Sequence, residues 1–128
     1  MEKPKLSDNF FLNRWQSMGY AFKGFFYLIR NEKAIQVHFS MSLIFIVLGF
    51  VFQLSFYEWL FQILALGLIL SIEGLNTAIE EICDFIHPDF HDKIGKIKDI
   101  SAGAVTFAAL TGYISLILIY SSKIIELS

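Results

Sequence analysis

Charged residues are absent from three long stretches of this sequence. In a chain of 128 residues, no Asp, Glu, Lys or Arg occurs between Lys33 and Glu58, between Glu58 and Glu73, or between Asp99 and Lys123. The first and third stretches are long enough to cross a hydrocarbon core of about 30 Å, which needs about 20 helical residues. With 55% hydrophobic and 17% charged residues, the composition is too apolar for most soluble domains of this size. These absences predict three membrane spans.

Other absences exclude several kinds of site. The single cysteine, Cys83, excludes an internal disulfide. The sequence contains neither G-x-x-x-x-G-K-[ST] nor G-x-G-x-x-G, so general nucleotide motifs give no support to phosphoryl transfer. Residues 1–9 are polar, and no small-residue cleavage site follows an early apolar run, which argues against a secretory signal. No basic patch is interleaved with aromatic residues, so we expect no nucleic-acid partner.

The apolar stretches set the expected helices. The predicted spans cover about residues 34–56, 58–84 and 99–120. The middle one lacks charge only over residues 59–72, so it crosses a membrane only if the carboxylates that follow turn away from lipid. In the third span, residues 101–112 are rich in Gly, Ala, Ser and Thr, which allow helix backbones to approach closely in lipid. We expect this helix to be central in a bundle.

A fourth helix is predicted before the spans, over about residues 9–30. Apolar side chains recur there at helical spacing, while the charged ones fall largely elsewhere. The pattern favours an amphipathic helix in the membrane interface over a soluble helix packed on a loop, because three spans leave little soluble mass. The expected fold is an all-α integral membrane protein with three transmembrane helices and one amphipathic surface helix. Residues 1–128 are expected to form a single domain.

Basic residues predict how the spans are oriented. Of the ten Lys and Arg residues, six precede the first span, three lie between the second and third spans, and only Lys123 follows the third. Lys and Arg beside spans are retained on the cytoplasmic side of the membrane. We therefore expect a cytoplasmic N-terminus, a cytoplasmic loop over residues 85–98, and a C-terminus outside.

Four polar side chains share one face of the second span. Counted from the surface helix, the second span is the third predicted helix, α3. Glu73, Asn76, Glu80 and Asp84 stand in it at i, i+3, i+7 and i+11, and we call this set the α3 stripe. A charge within a membrane costs at least about 2.5 kcal/mol, so the stripe indicates a functional site. Glu73 lies 14 residues beyond Trp59, about 21 Å along the helix, near the inner edge of the hydrocarbon. The alternative is a polar seam that only holds helices together.

Carboxylates on a helix face suit Mg²⁺, which binds one or two protein carboxylates together with substrate phosphates. Two further pairs lie at the same membrane face, Asn31 with Glu32 before the first span and Lys98 with Asp99 before the third. The histidines and aspartates of residues 87–92 are a weak zinc signal, because no cysteine stands at a matching spacing. By themselves, the residues indicate a carboxylate-lined, metal-compatible interfacial site.

Two motifs carry a resemblance to a known family. E-G-L-N-T-A-I-E at residues 73–80 and K-D-I-S-A-G-A-V at residues 98–105 resemble the signature of the prokaryotic diacylglycerol kinase family, which includes undecaprenol kinases. Residues 19–24, Asn31 with Glu32, and the three-span layout extend the resemblance over nearly the whole chain.

The resemblance implies a homotrimeric helical bundle in the bacterial cytoplasmic membrane, with composite sites between subunits. Its activity would be transfer of the γ-phosphate of MgATP to the hydroxyl of a lipid alcohol. Glu73 would be the general base, Asn76 would orient substrate and phosphate, and Glu32 and Glu80 would hold Mg²⁺. The resemblance also implies ATP contacts from five residues: Arg14, Tyr20, Glu80, Lys98 and Asp99.

The lipid substrate depends on few positions. The diacylglycerol-specific branch has Gln-Glu where this sequence has Val37 and His38, and a histidine at the second position looks more like the undecaprenol kinase branch. We favour undecaprenol, with diacylglycerol as the alternative. A non-catalytic membrane subunit would leave the α3 stripe to coincidence, and an ion or proton carrier would place its carboxylates nearer the membrane midplane.

Overall fold

A computed structural model describes residues 8–127 of the protein, and these residues form four helices. In chain order they are α1 (Phe10–Asn31), α2 (Lys33–Val51), α3 (Phe56–Ile86) and α4 (Asp92–Leu127). The last three are long and apolar enough to cross a membrane, and no strand occurs among the described residues. This confirms the predicted all-helical protein with three candidate spans. Residues 1–7 lie outside the described residues. They include Lys3 and Lys5, two of the basic residues from which the orientation was predicted.

A single residue, Glu32, separates α1 from α2. Its backbone is extended, with φ −98° and ψ 112°. The Glu32 N–H donates to the Leu28 carbonyl at 3.0 Å, and the Glu32 carbonyl accepts from the Gln36 N–H at 2.9 Å, so the residue closes one helix and opens the next. An extended residue cannot continue a helical axis. The two helices are therefore separate elements, and Glu32 stands at the junction.

The turn between α2 and α3 begins earlier than the predicted end of the first span at residue 56. Gln53 has a positive φ of 51°, which ends the helical path after Val51. A capping box then starts α3, because the Ser55 N–H donates to Glu58 Oε2 at 2.6 Å and the Glu58 N–H donates to Ser55 Oγ at 3.4 Å. We call the turn at residues 52–55 the hairpin end of the bundle.

The loop between α3 and α4 covers residues 87–91 and is much shorter than the predicted loop over residues 85–98. His87 precedes Pro88 and has an extended backbone, which the proline ring favours. Helix α3 therefore ends at Ile86, two residues beyond the predicted end of the second span. The Lys93 N–H donates to the His91 Nδ1 at 3.1 Å, and this cap starts α4 well before the predicted residue 99. We call this side of the bundle the loop end.

Helices α3 and α4 pack closely along their length, as the small residues of the third span predict. A Cβ added at Gly112 would lie 2.6 Å from Ile69 Cδ1 and 3.2 Å from the Ala65 carbonyl oxygen, so only glycine permits this approach. Ile69 and Leu116, on the two helices, are 2% and 1% exposed. The core of the single chain therefore lies mainly between these two helices.

Buried polar contacts fasten the hairpin end. Gln62 of α3 is fully buried; its Nε2 donates to the Phe45 carbonyl of α2 at 2.9 Å. The Tyr120 hydroxyl of α4 donates to Gln62 Oε1 at 2.7 Å. Lys123 and Glu58 form an ion pair at 3.1 Å near the same turn. These contacts fix all three spans relative to one another and orient the opposite end, where the α3 stripe lies.

Candidate functional site

The α3 stripe lies at the loop end and passes from the interior to the surface along one helix. Glu73 and Asn76 are 7% and 9% exposed, whereas Glu80 and Asp84 are exposed. A carboxylate shielded from solvent and one open to it therefore stand two turns apart on the same helix face. This arrangement suits a site that must meet a membrane-embedded group and a water-soluble one.

Asn76 connects the two parts of the stripe. Its Nδ2 donates to Glu80 Oε1 at 3.0 Å. Its Oδ1 is buried and has no hydrogen-bond partner among the described residues. Leaving a buried acceptor without a partner costs about 1–3 kcal/mol. The Asn76 carbonyl oxygen is therefore well suited to accept a hydrogen bond or a cation contact from a bound ligand.

The junction between α1 and α2 brings another carboxylate to the stripe. Leu28 of α1 packs against α3 at Gly74, where an added Cβ would lie 3.1 Å from Leu28 Cδ1. Glu32 follows Leu28 by one turn and, like Glu80, is close enough to act electrostatically on the Glu73 carboxylate. Three carboxylates from two parts of the chain therefore converge at the loop end.

This carboxylate cluster suits a magnesium ion, which needs few protein ligands, but not a metal ion that proteins enclose completely. Among residues 8–127, no group of three His, Cys, Asp or Glu side chains is arranged to hold a metal ion by itself. Mg²⁺ does not require one, because it binds one or two carboxylates and completes its coordination with phosphate and water. Glu80, which contacts the Asn76 amide, and Glu32, whose charge acts on Glu73, offer oxygen ligands of that kind.

Lys98 lies at the exposed end of the stripe. Its Nζ pairs with Asp84 Oδ1 at 2.5 Å, which joins α4 to α3 across the loop. Asp99, the next residue, is exposed. The pairing was not predicted, although a short antiparallel connection between Asp84 and Lys98 would have indicated it.

Arg14 and Tyr20 are exposed on α1. Arg14 lies over the ring of Phe10 at 5.4 Å, and Lys23 lies over the ring of Tyr20 at the same distance. These contacts are within α1, so in the described part of a single chain they do not join Arg14 or Tyr20 to the α3 stripe. Their role in nucleotide binding stays a prediction.

A polar contact that sequence reasoning missed lies near Glu73. His38 Nδ1 of α2 and the Tyr113 hydroxyl of α4 share a hydrogen bond at 2.8 Å. In the sequence, His38 bears only on the choice of lipid substrate, and Tyr113 belongs to neither motif. A tyrosine within an apolar span was the available signal, because its hydroxyl needs a partner away from water.

An apolar groove of about 490 Å³ runs between α2 and α4. It extends from Tyr113 toward the hairpin end, where Phe52 and Ile124 line it. Its walls are formed by aromatic and aliphatic side chains, including Phe45 and Ile117. The groove therefore suits a hydrocarbon chain and opens beside the His38–Tyr113 pair.

Comparison with known proteins covers most of the chain. The family model described as prokaryotic diacylglycerol kinase matches residues 19–120. Undecaprenol kinase of Bacillus subtilis (strain 168) is 35% identical over 114 residues, which are 88% of this chain and 93% of that protein. Diacylglycerol kinase of Escherichia coli (strain K12) is 28% identical over 100 residues, which are 78% of this chain and 82% of that protein.

Proposed function

Because the chain belongs to the prokaryotic diacylglycerol kinase family and is a bacterial membrane lipid kinase with a nucleotide co-substrate, we propose that it transfers the γ-phosphate of MgATP to undecaprenol. The observation that carries this proposal is the α3 stripe, with Glu73 buried and Glu80 exposed. Undecaprenol is favoured over diacylglycerol by the 35% identity to an undecaprenol kinase and by His38.

Glu73 acts as the general base. Its carboxylate accepts the proton of the lipid hydroxyl while the hydroxyl oxygen attacks the γ-phosphorus. The bond between the γ-phosphorus and the bridging oxygen breaks, and ADP leaves with that oxygen on its β-phosphate. Asn76 orients the phosphate and the substrate through the amide group that adjoins Glu80. Burial of Glu73 supports this role, because a shielded carboxylate is accessible to a lipid but not to bulk water.

Glu32 and Glu80 would hold Mg²⁺, whose charge offsets that of the transferred phosphate. Their convergence on Glu73 supports this assignment. Glu80 is exposed and Glu32 is partly exposed, so both carboxylates are open to a soluble nucleotide. Glu80 is thus placed to serve the nucleotide as well as the cation.

Lys98 and Asp99 bind the nucleotide together with Arg14 and Tyr20 from α1. Lys98 exchanges its partner Asp84 for a phosphate group when ATP binds. This exchange is feasible because the Lys98 and Asp84 side chains are 34% and 60% exposed, and an exposed ion pair contributes little to stability.

The proposed setting is a homotrimer in the cytoplasmic membrane, with α1 lying as an amphipathic helix in the inner interface. The N-terminus and the loop at residues 87–91 are cytoplasmic, and the C-terminus is outside. Exposed aromatic residues along α1 and the many exposed apolar side chains of the spans support burial in lipid and against other subunits.

Phosphate transfer from radiolabelled ATP tests the proposal. The purified protein, with Mg²⁺ and in lipid, receives undecaprenol and diacylglycerol separately and in competition. We expect a higher kcat/KM for undecaprenol. A higher kcat/KM for diacylglycerol would assign the enzyme to phosphatidic acid formation, and transfer to neither alcohol would overturn both substrate assignments.

A further inference from the structure

The hydrogen bond between His38 and Tyr113 joins α2 to α4 within the membrane-spanning part of the chain. The two bonded atoms are 2.8 Å apart, and the ring centroids are 6.1 Å apart. Both residues are partly exposed in the single chain. Placing a phenol or an imidazole in hydrocarbon without a hydrogen-bond partner costs free energy. The hydrogen bond between His38 and Tyr113 avoids this cost for both side chains.

The pair lies about one helical turn from Glu73, toward the hairpin end. Tyr113 follows Gly112, which packs on Ile69, and Ile69 precedes Glu73 by four residues or about 6 Å. His38 is also close enough to act electrostatically on the Glu73 carboxylate. A lipid alcohol that brings its hydroxyl to Glu73 from the membrane therefore passes beside the pair.

Tyr113 restricts the orientation of the His38 ring. An imidazole has two ring nitrogens, and the hydrogen bond to the Tyr113 hydroxyl occupies Nδ1. The same hydroxyl lies 3.5 Å from Met41 Sδ, which fixes its place against α2. Nε2 is then the ring nitrogen that remains for a substrate.

Tyr113 also lines the apolar groove between α2 and α4, at the end of the groove nearest Glu73. A hydrocarbon chain in that groove would leave its polar head beside the pair. Two independent features, the hydrogen bond and the groove, therefore place Tyr113 on the path between the lipid and the base.

We propose that Tyr113 is a positioning residue for the lipid alcohol, because it holds His38 so that Nε2 contacts the substrate hydroxyl beside Glu73. This inference rests on the proposed lipid kinase function. His38 makes the contact, and Tyr113 acts through His38. Loss of the Tyr113 hydroxyl should weaken binding of the lipid and leave binding of ATP unchanged.

The test is the variant Tyr113→Phe, which keeps the ring and removes the hydroxyl. We expect KM for the lipid alcohol to rise about tenfold, as for the loss of one well-placed hydrogen bond, with KM for ATP unchanged. The matched control is Ser115→Ala, which removes a hydroxyl from the same helix whose hydrogen bond, to the Thr111 carbonyl at 2.8 Å, stays within α4. In that control, KM for the lipid should stay within twofold of wild type.

A double-mutant cycle separates positioning from a structural bridge. If Tyr113 acts through His38, then Tyr113→Phe has no further effect on the lipid KM in a His38→Ala background. Additive effects, or equal rises of lipid KM in Tyr113→Phe and Ser115→Ala, would overturn the inference. If the wild type phosphorylates the lipid and Tyr113→Phe has an unchanged lipid KM, only the role of Tyr113 is refuted. If the wild type is inactive, the proposed function is refuted.

Discussion

Asn76 Nδ2 donates to Glu80 Oε1 at 3.0 Å, so a buried amide holds an exposed carboxylate one turn further along α3. This contact uses the donor side of the amide and leaves the buried Oδ1 without a partner in the described part of the chain. A side chain that is satisfied on one side and open on the other is preorganised to contact a ligand.

Replacing Asn76 should therefore impair catalysis more than stability. We expect Asn76→Ala to lower kcat by about 100-fold, because the contact to the reacting groups is lost. Its unfolding temperature should change little, because loss of the hydrogen bond to Glu80 is offset by removal of a buried oxygen that has no partner. Steady-state kinetics and thermal unfolding in detergent measure the two effects. Thr77→Ala, which removes only a hydrogen bond to the Glu73 carbonyl, serves as the control and should retain kcat within about threefold.

The ion pair between Lys98 and Asp84 predicts opposite effects from its two partners. Lys98→Ala should raise KM for ATP about tenfold, because a charged contact to phosphate is lost. Asp84→Asn should lower KM for ATP, by about fivefold at most, because Lys98 no longer has to leave an exposed ion pair. Initial rates over a range of ATP concentrations measure both. A raised KM in Asp84→Asn would instead make Asp84 part of the nucleotide site.

The carboxylates of Glu32 and Glu80 predict a specific change in the magnesium requirement. Glu32→Gln and Glu80→Gln should each raise the Mg²⁺ concentration for half-maximal rate about tenfold, while KM for the lipid stays unchanged. Activity should disappear in excess chelator and return with added Mg²⁺. Glu81→Gln is the matched control, because Glu81 is exposed and lies off the α3 stripe. An unchanged magnesium dependence in both site variants would remove them from the metal site.

The close approach at Gly112 predicts a loss of stability. Gly112→Ala would place a methyl group 2.6 Å from Ile69 Cδ1 and 3.2 Å from the Ala65 carbonyl, so α4 must move from α3. We expect destabilisation of about 1–3 kcal/mol, seen as a lower unfolding temperature in detergent. Gly95→Ala is the control, because nothing lies within 4 Å of a Cβ at that position. Equal stability of the two variants would contradict the packing between α3 and α4.

Sequence patterns predict the three spans and the α3 stripe because both depend on properties that lie along the chain. Charge-free length identifies a span, and helical periodicity places Glu73, Asn76 and Glu80 on one face. The ends of the helices were predicted less well. The His91 side chain caps α4, and residues 92–98 are helical although their charges suggested a loop.

Contacts between helices were harder to predict. The approach of Glu32 to Glu73 depends on the break between α1 and α2 and on Leu28 packing at Gly74. The bond between His38 and Tyr113 joins residues 75 positions apart on two different spans, and neither residue indicates the other. Such pairs require the relative placement of helices, which no pattern within a single helix contains.

The most direct test of the central claim is the rate of phosphate transfer by Glu73→Gln, measured in a single turnover with saturating MgATP and lipid alcohol. The substitution keeps the shape of the side chain and removes the group that accepts the proton. The expected result is a fall of at least about 1,000-fold in the rate of transfer, with ATP binding and the unfolding temperature unchanged. Transfer at a rate near that of the wild type would contradict the role of Glu73 as the base.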